Sequence, residues 1–201
     1  GNALLFHYPK QGKPRVLYTC YTKENGDYQR HVERYLDGPY ILDPFYHAST
    51  DGIAPGAYLL KDIAPDDFLK TEYYREYYLG TKLADELSYL QALPDGGHLH
   101  LSIAYTGKDS NIPDITVSFL KSIAELINAL LLKHWQLHES KNTSIADERI
   151  HLQLERALVL FGSSILTGRE QTILQLILHG HSNRSAADKL AIAESTVKIH
   201  R

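Results

Sequence analysis

The last 36 residues constrain the fold of this chain most, because they contain two complete short helices and the start of a third. Thr167 is a favoured helix N-cap, and Glu170 stands three positions later, the spacing of a capping box. Apolar residues then recur at helical spacing up to Gly180, a residue type that commonly ends helices. Ser182 caps a second helix, and a basic third helix begins at Glu194. This order is typical of a helix-turn-helix, whose last helix enters the DNA major groove.

The motif positions of this segment follow the pattern LT-x-RE, G-x-SN and TVK-x-H. They are Leu166, Thr167, Arg169, Glu170, Gly180, Ser182, Asn183, Ala187, Leu190, Thr196, Val197, Lys198 and His200. At these residues the chain resembles the LuxR-type DNA-binding module. Ala186 stands where the family usually has Ile, and Ala193 where it usually has the Ser that caps the recognition helix. The lost cap costs about 1 kcal/mol of local helix stability.

The resemblance implies roles for residues of the recognition helix. Lys198 and Ile199 are expected to face base edges, which give sequence choice, whereas Thr196, His200 and Arg201 are expected to meet phosphates, which set position. The full predicted set of DNA-contacting residues is Ser195, Thr196, Lys198, Ile199, His200 and Arg201. The family pattern also implies that the module is incomplete at Arg201. The rest of the recognition helix and a fourth helix for self-association would follow.

The charge of the chain is divided unevenly between this module and the rest. The net charge is −3, but the module has five basic and three acidic side chains, which leaves −5 for the residues before it. Positive charge is therefore concentrated where phosphates would be met. No run of about 18 apolar residues and no signal peptide are visible, so we expect no membrane contact. The single Cys20 cannot form an internal disulfide, which fits a cytoplasmic location.

The preceding residues predict an α+β domain with an antiparallel sheet. Strand-like runs cover 3–8, 16–22, 58–63, 86–93 and 98–105, and helical patterns cover 27–36, a segment from Pro65, 115–139 and 145–161. This layout resembles PAS- and GAF-like sensor domains and the autoinducer-binding domains of the same regulator family. We predict a sensor domain over 1–140, a linker and dimerisation helix over 141–165, and the DNA-binding module over 166–201.

An aromatic and acidic cluster is the candidate ligand site of the sensor domain. Its predicted members are Tyr40, Asp43, Phe45, Tyr46, Tyr73, Tyr74 and Tyr77, with Tyr78 in the same helical stripe and Glu72, Asp85 or Glu86 close by. Aromatic faces beside a carboxylate suit an amine through cation–π attraction and charge pairing. Asp43-Pro44 also resembles the Asp-Pro of autoinducer-binding domains, whose Asp accepts the ligand amide N–H. The alternative is that these tyrosines are ordinary core residues.

The other sequence features favour binding over catalysis. No phosphate-binding loop and no nucleophile motif occurs, so we predict that the chain is not an enzyme and needs no cofactor. The histidines include His98 and His100 in one strand, His134 and His138 in one helix, and His179 and His181 around Gly180. They have no accompanying ligand set, so they are predicted to be solvent-facing rather than metal-binding.

The two long amphipathic helices point to an oligomer. They have more apolar surface than one small sheet can cover, which favours a homodimer, since a paired helix-turn-helix reads two half-sites on DNA. A regulator without a ligand, whose front domain only dimerises or binds a protein, remains the alternative to a sensor.

Overall fold

A five-stranded antiparallel sheet forms the centre of the N-terminal domain. This computed structural model describes residues 2–21, 24, 26–106, 111–138 and 145–201, with the backbone alone for 138 and 145–151. The strands are β1 (Asn2–Tyr8), β2 (Arg15–Thr19), β3 (Gly56–Leu59), β4 (Leu83–Ala92) and β5 (His98–Thr106). Their order is β2-β1-β5-β4-β3, and all neighbours are antiparallel. Both predicted hairpins and the α+β class are confirmed.

Seven longer helices surround the sheet and form the C-terminal part of the described chain. They are α1 (Pro44–Thr50), α2 (Asp114–Ser122), α3 (Ala124–His138), α4 (Ile145–Leu160), α5 (Gly168–Leu178), α6 (Asn183–Leu190) and α7 (Glu194–Ile199). Shorter helical turns include Gln29–Glu33, Arg34–Leu36, Leu60–Ile63, Phe68–Lys70 and Tyr74–Tyr78. The helix predicted over 27–36 is confirmed as one continuous helical segment, whose hydrogen bonding is of the π type over Gln29–Glu33.

The segment between β3 and β4 differs from its prediction. The strand predicted over 58–63 ends at Leu59, and the next residues form a helical turn. The helix predicted from Pro65 is not continuous, because Thr71 adopts extended backbone angles. The Thr71 hydroxyl instead accepts the Tyr74 N–H at 3.1 Å and so caps a new helical turn. Threonine hydroxyls compete in this way with the backbone hydrogen bonds that would continue a helix.

The helix predicted over 115–139 is broken into α2 and α3, which are bent by 54°. The Ser122 hydroxyl donates to the Phe119 carbonyl at 2.7 Å, a contact that commonly bends helices. The bend lets both helices pack on one face of the sheet. Within the described ranges no single helix is long and apolar enough to cross a membrane; α2 and α3 pass that test only as a bent pair. The predicted helix end at Glu139 and the break over 141–144 lie outside the described residues.

The two faces of the sheet bury different residues. One face packs against α2 and α3 through Leu5, Leu87, Tyr89, Leu99, Leu131 and Trp135. The other face packs against α1 and the turns on either side of it, and it is mainly aromatic: Phe6, Tyr8, Tyr35, Tyr40, Phe45, Tyr46, Tyr73, Tyr77 and Tyr78. Burial of each such side chain stabilises the fold by about 2 kcal/mol. The aromatic cluster predicted from the sequence therefore forms one of the two cores of this domain.

Candidate DNA-binding module and buried polar cluster

The C-terminal helices form a small module with its own core. Ile173 of α5, Ala186 and Ala187 of α6 and Val197 of α7 are buried together. The Thr167 hydroxyl accepts the Glu170 N–H, and the Glu170 carboxylate accepts the Thr167 N–H, so the predicted capping box is present. The buried side chain at 186 belongs to the same core, so the family's usual Ile there would place more volume inside it.

The recognition helix α7 presents most of its predicted contact residues to solvent. The exposed residues are Ser195, Lys198, Ile199 and Arg201. The Ile199 side chain is 80% exposed, and leaving an apolar side chain in water costs free energy. Thr196 and His200 are half-buried beside the core residue Val197. The Lys198 ammonium pairs with Glu194 at 2.8 Å. As the sequence implies, Ala193 begins α7 without a side-chain cap.

Two buried carboxylates stand at the centre of the aromatic core. Asp43 precedes α1 and accepts the Phe45 N–H at 2.8 Å, so it caps this helix. Its other oxygen accepts the Tyr35 hydroxyl at 2.7 Å. The Tyr35 and Tyr8 hydroxyls lie 2.7 Å apart. Asp43 is therefore held by the fold on both oxygens.

Glu86 forms the second carboxylate centre, on β4. It accepts hydroxyl hydrogen bonds from Tyr78 at 2.5 Å, Ser102 at 2.6 Å and Ser88 at 3.2 Å. His100 links the two centres, because its Nε2 lies 2.8 Å from the Ser88 hydroxyl and its Nδ1 lies 2.5 Å from the Tyr8 hydroxyl. We call this set the buried polar cluster: Tyr8, Tyr35, Asp43, Tyr78, Glu86, Ser88, His100 and Ser102.

The two carboxylates differ in their protonation. Burial, and then the charge of Glu86, raise the pKa of Asp43 to about 6. Burial also opposes ionisation of Glu86, but hydrogen bonding and charge from His100, followed by the Ser102 and Tyr78 hydroxyls, lower its pKa below the usual value. Glu86 is thus the first of the two to ionise as pH rises, and Asp43, whose ionised form is the more disfavoured, is the carboxylate that gains most from an added cation.

A small cavity of about 20 Å³ lies against these groups. It is lined by Leu4, Phe6, Tyr21, His31, Tyr35, Asp43, Tyr73, Tyr77, Leu83, Glu86, His100, Ser102 and Ala104. That volume holds about one water molecule. A larger ligand at this position has to displace side chains of the cluster.

The structure brings some of the predicted ligand residues to this cavity and not others. Asp43, Tyr73 and Tyr77 line it. Phe45 stacks on His100 with ring centroids 5.1 Å apart. The remaining predicted residues, Tyr40, Tyr46 and Tyr74, lie outside the cavity lining. The Tyr46 hydroxyl reaches Glu155 of α4, and the Tyr40 ring packs on the Tyr46 ring. The Tyr74 ring stacks on the Tyr78 ring.

Several residues of the buried polar cluster were missed from the sequence. The two-residue period of β4 and β5 could have revealed them, because Glu86 and Ser88 share one face of β4, and His100 and Ser102 share one face of β5. Two polar side chains per strand on an otherwise buried face indicate a hydrogen-bonded network rather than solvent exposure. Tyr8 and Tyr35 carry no such signal, because an aromatic residue in a buried run is ordinarily core.

The prediction of solvent-facing histidines was wrong for four residues, and one of them is His98, which is half-buried. His100 is only 2% exposed. His179 and His181 are half-buried where the module contacts the N-terminal domain, and the His179 ring lies 4.1 Å from the His47 ring. Within the described ranges, no group of three or more His, Cys, Asp or Glu side chains could hold a metal ion.

A cleft of about 740 Å³ opens between the two domains, and we call it the interdomain cleft. Its lining includes Pro44, His47, Asp51 and Asp66 from the N-terminal domain and Leu176, His179, His181, Ser185 and Lys189 from the module. Burial lowers the pKa of His47 to about 3 and lowers the pKa values of His179 and His181. Nε2 of His47 and of His179 has no hydrogen-bond partner among the described residues. These rings are therefore neutral at pH 7.

Comparison with known proteins identifies the module. The family described as bacterial regulatory proteins, luxR family, matches residues 164–201. The chain is also 27% identical, over 163 residues, to a "Putative HTH-type transcriptional regulator in exeN 3'region" of Aeromonas salmonicida; the match covers 79% of this chain and 83% of that protein.

Two solved structures align with this chain over different shares of its length. The crystal structure of the VqsR LBD domain from Pseudomonas aeruginosa matches with a TM-score of 0.57 and 26% identity, over 69% of this chain and 79% of that chain. Escherichia coli SdiA aligns over 100% of this chain and 74% of its own, at 18% identity and a TM-score of 0.42. The luxR-family match agrees with the DNA-binding module predicted from the sequence, and the Aeromonas salmonicida relative is itself described as a transcriptional regulator.

Proposed function

We propose that this chain, a LuxR-family transcription regulator with an autoinducer-binding-like N-terminal domain, binds double-stranded DNA as a homodimer under the control of a small effector. The observation that carries DNA binding is the exposed face of α7, where Lys198, Ile199 and Arg201 stand over a buried module core. The effector acts by a population shift, because it binds one arrangement of the domains better than the other. Such a regulator works in the cytoplasm, where it meets DNA.

The DNA-binding role is tested with Lys198→Ala. A duplex selected from a random library by the natural chain serves as probe, and the variant is expected to bind it about tenfold to a hundredfold more weakly, the worth of a base contact. Lys121→Ala is the matched control, since Lys121 is an exposed lysine of the N-terminal domain paired with Asp62 at 2.8 Å. Equal anisotropy titrations for the two variants would contradict the assignment of Lys198.

The effector is proposed to be an amine that places its positive charge at Asp43. His100 lies 3.7 Å from Glu86 and is linked to Asp43 through the hydroxyls of Tyr8 and Tyr35. Burial has raised the pKa of Asp43, so a bound cation stabilises its ionised carboxylate. The rings of Tyr35, Tyr73 and Tyr77 surround this position, and their faces attract cations. Because the cavity measures about 20 Å³, the amine enters only if these rings move. That movement is the structural change an effector would impose.

An acyl-lactone autoinducer is the second candidate. It is supported by the likeness to the VqsR LBD domain and by Asp43, a buried acceptor positioned for a ligand N–H. A long acyl chain would need an aliphatic tunnel, whereas the lining of the cavity at Asp43 is mostly aromatic and polar. In either case Asp43→Asn removes the response to the effector and leaves DNA binding in its absence unchanged.

The homodimer is proposed from exposed apolar residues of α2 and α3. Leu131 and Trp135 are buried on the sheet, but Phe119, Leu126 and Leu130 are 57–61% exposed. Leu126 and Leu130 are four residues apart and so lie on one face of α3, and exposed apolar side chains grouped in this way mark an interaction site. Leu126→Glu with Leu130→Glu is expected to shift the sedimenting species from dimer to monomer, while Lys121→Ala leaves it unchanged.

A further inference from the structure

The DNA-binding module contacts the N-terminal domain at Asp66 and at the backbone next to it. The Asp66 carboxylate accepts two hydrogen bonds from Ser182, from its backbone N–H at 3.0 Å and from its hydroxyl. Next to it, the Asp67 N–H donates to the Gly180 carbonyl at 2.9 Å. Ser182 is the N-cap of α6 and uses its hydroxyl to accept the Ser185 N–H at 3.1 Å. The first helix of the helix-turn-helix thus starts against Asp66.

The backbones of the two domains approach closely at this contact. A methyl group at Gly180 would lie 2.7 Å from the Thr71 side chain and 3.3 Å from the Phe68 backbone. Gly180 also has a φ of +94°, a conformation that glycine adopts readily. The glycine that ends α5 therefore serves the docking contact as well as the helix end.

The start of α6 lies on the same side of the module as the end of the recognition helix. The Arg201 guanidinium donates to the Asn183 side-chain oxygen at 2.9 Å, so these two residues are neighbours. The first helix of a helix-turn-helix crosses the DNA backbone, and helix N-termini commonly bind phosphate through their free N–H groups. Ser182 and Asn183 are therefore placed to meet a phosphate when α7 enters the major groove.

We propose that Asp66 occupies the position of a DNA phosphate at the start of α6, so that the docked module is autoinhibited and DNA must displace Asp66. Desolvation opposes ionisation of Asp66, but the two hydrogen bonds from Ser182, with smaller contributions from its own backbone and from His181, outweigh it and lower the pKa, so the carboxylate is charged at neutral pH. A carboxylate and a phosphate cannot both use the Ser182 N–H and hydroxyl. This inference rests on the proposed DNA binding, and it adds that the docked arrangement of the module weakens that binding.

The docking contact also connects to the buried polar cluster. Helix α1 starts at the Asp43 cap, and its His47 meets His179 of the module one turn later. Pro44 and His47 line the interdomain cleft together with Asp66. A ligand that moves Asp43 therefore moves the helix on which the module rests.

The test compares Asp66→Ala with the natural chain in binding to a fluorescent mixed-sequence duplex of 30 base pairs in 50 mM NaCl, followed by anisotropy. If the undocked form is about a tenth of the population, its release tightens binding about tenfold. Asp37→Ala is the matched control, because it removes the same charge from an exposed residue paired with Lys13 at 3.7 Å. Its expected change in affinity is under about threefold, a long-range charge effect.

A second measurement uses the natural chain alone. Saturating duplex is expected to speed deuterium uptake at the Asp67 amide, since DNA displaces the contact with Gly180. Equal affinities for the Asp66 and Asp37 variants, or unchanged uptake at Asp67, would overturn the autoinhibition while leaving DNA binding intact. If neither the natural chain nor Asp66→Ala binds any duplex, the proposed function fails first and the inference fails with it.

Discussion

The buried polar cluster and the interdomain cleft are built from similar residues, but the first is closed and the second is open. In the cluster, Asp43 and Glu86 each accept at least two hydrogen bonds, and the cavity beside them measures about 20 Å³. In the cleft, His47 and His179 have unpartnered nitrogens beside a volume of about 740 Å³. A fully hydrogen-bonded network favours one arrangement of its side chains. Polar groups without partners at a contact lose no hydrogen bond when the contact opens, so the free-energy cost of separating the two domains is lower there. We therefore expect the domain contact to open at a lower free-energy cost than the buried polar cluster.

The largest expected effect comes from breaking the closed network with Glu86→Gln. The amide keeps the shape but removes the charge and one acceptor oxygen, which leaves buried hydroxyls of Tyr78 or Ser102 without a partner. We expect a loss of about 3 kcal/mol in the free energy of unfolding, measured by urea denaturation. Glu76→Gln is the control: Glu76 is an exposed partner of Arg34, and its loss should cost less than about 0.5 kcal/mol.

Tyr35→Phe removes a single hydroxyl from the same network, so we expect a smaller loss in the free energy of unfolding. The hydroxyl of Tyr35 joins Tyr8 to Asp43, so its removal leaves each with one hydrogen bond fewer and costs about 1–2 kcal/mol. The pKa of Asp43 should rise further, because the Tyr35 hydrogen bond lowers it. Carboxyl titration by NMR checks the pKa, and Tyr18→Phe, at a 57% exposed tyrosine, should leave both quantities unchanged.

Acidification should open the cleft. The folded pKa of His47 is about 3, below the unfolded value of about 6.5, so its stabilising contribution is complete above pH 6.5 and decreases as pH falls. At pH 5.5 the loss is about 1.4 kcal/mol for this residue. Lys189 faces His47 with like charge, and His179 and His181 do so once they are protonated, while Asp51 and Asp66 partly offset that charge.

Deuterium uptake over residues 64–71 should therefore rise between pH 7.5 and pH 5.5, after correction for intrinsic exchange. His47→Gln should reduce that rise. His98→Gln, at a half-buried histidine of β5 with a lowered pKa, should not change it. A rise of equal size in all three proteins would show that the cleft histidines do not control the contact.

Ala193→Ser has the smallest expected effect. It supplies the missing N-cap of α7 and should stabilise the module by about 0.5–1 kcal/mol. Local exchange of the α7 amides should slow, while that of the β-strand amides stays the same. Slower exchange in both regions would mean that the module and the sheet unfold together.

The module was the more predictable of the two domains. Its caps, its glycine stop and its basic last helix are local signals, so Thr167, Gly180 and Glu194 stand where the sequence indicates. The break at Ile123 and the turn after Pro65 depend on serine and threonine hydroxyls competing for backbone groups, which periodicity does not report.

The buried polar cluster was predictable only in part. Asp43 follows from its neighbouring aromatic residues and Pro44, but the roles of Tyr8 and His100 require the pairing of β1 with β5. The docking of Ser182 on Asp66 joins residues 116 positions apart and has no local signal at all. Long-range contacts of this kind decide which polar residues are buried.

The most direct test is a thermal-shift comparison of the natural chain with Asp43→Asn, against polyamines, aromatic amines, acyl lactones and aromatic acids. A ligand at a hundredfold its dissociation constant adds about 2.7 kcal/mol, a rise of about 5–10 °C in Tm for a chain of this size. We predict such a rise with an amine and its loss in Asp43→Asn. A rise with lactones alone would assign the site to an autoinducer. No rise with any class, or an equal rise in both proteins, would contradict an effector at Asp43.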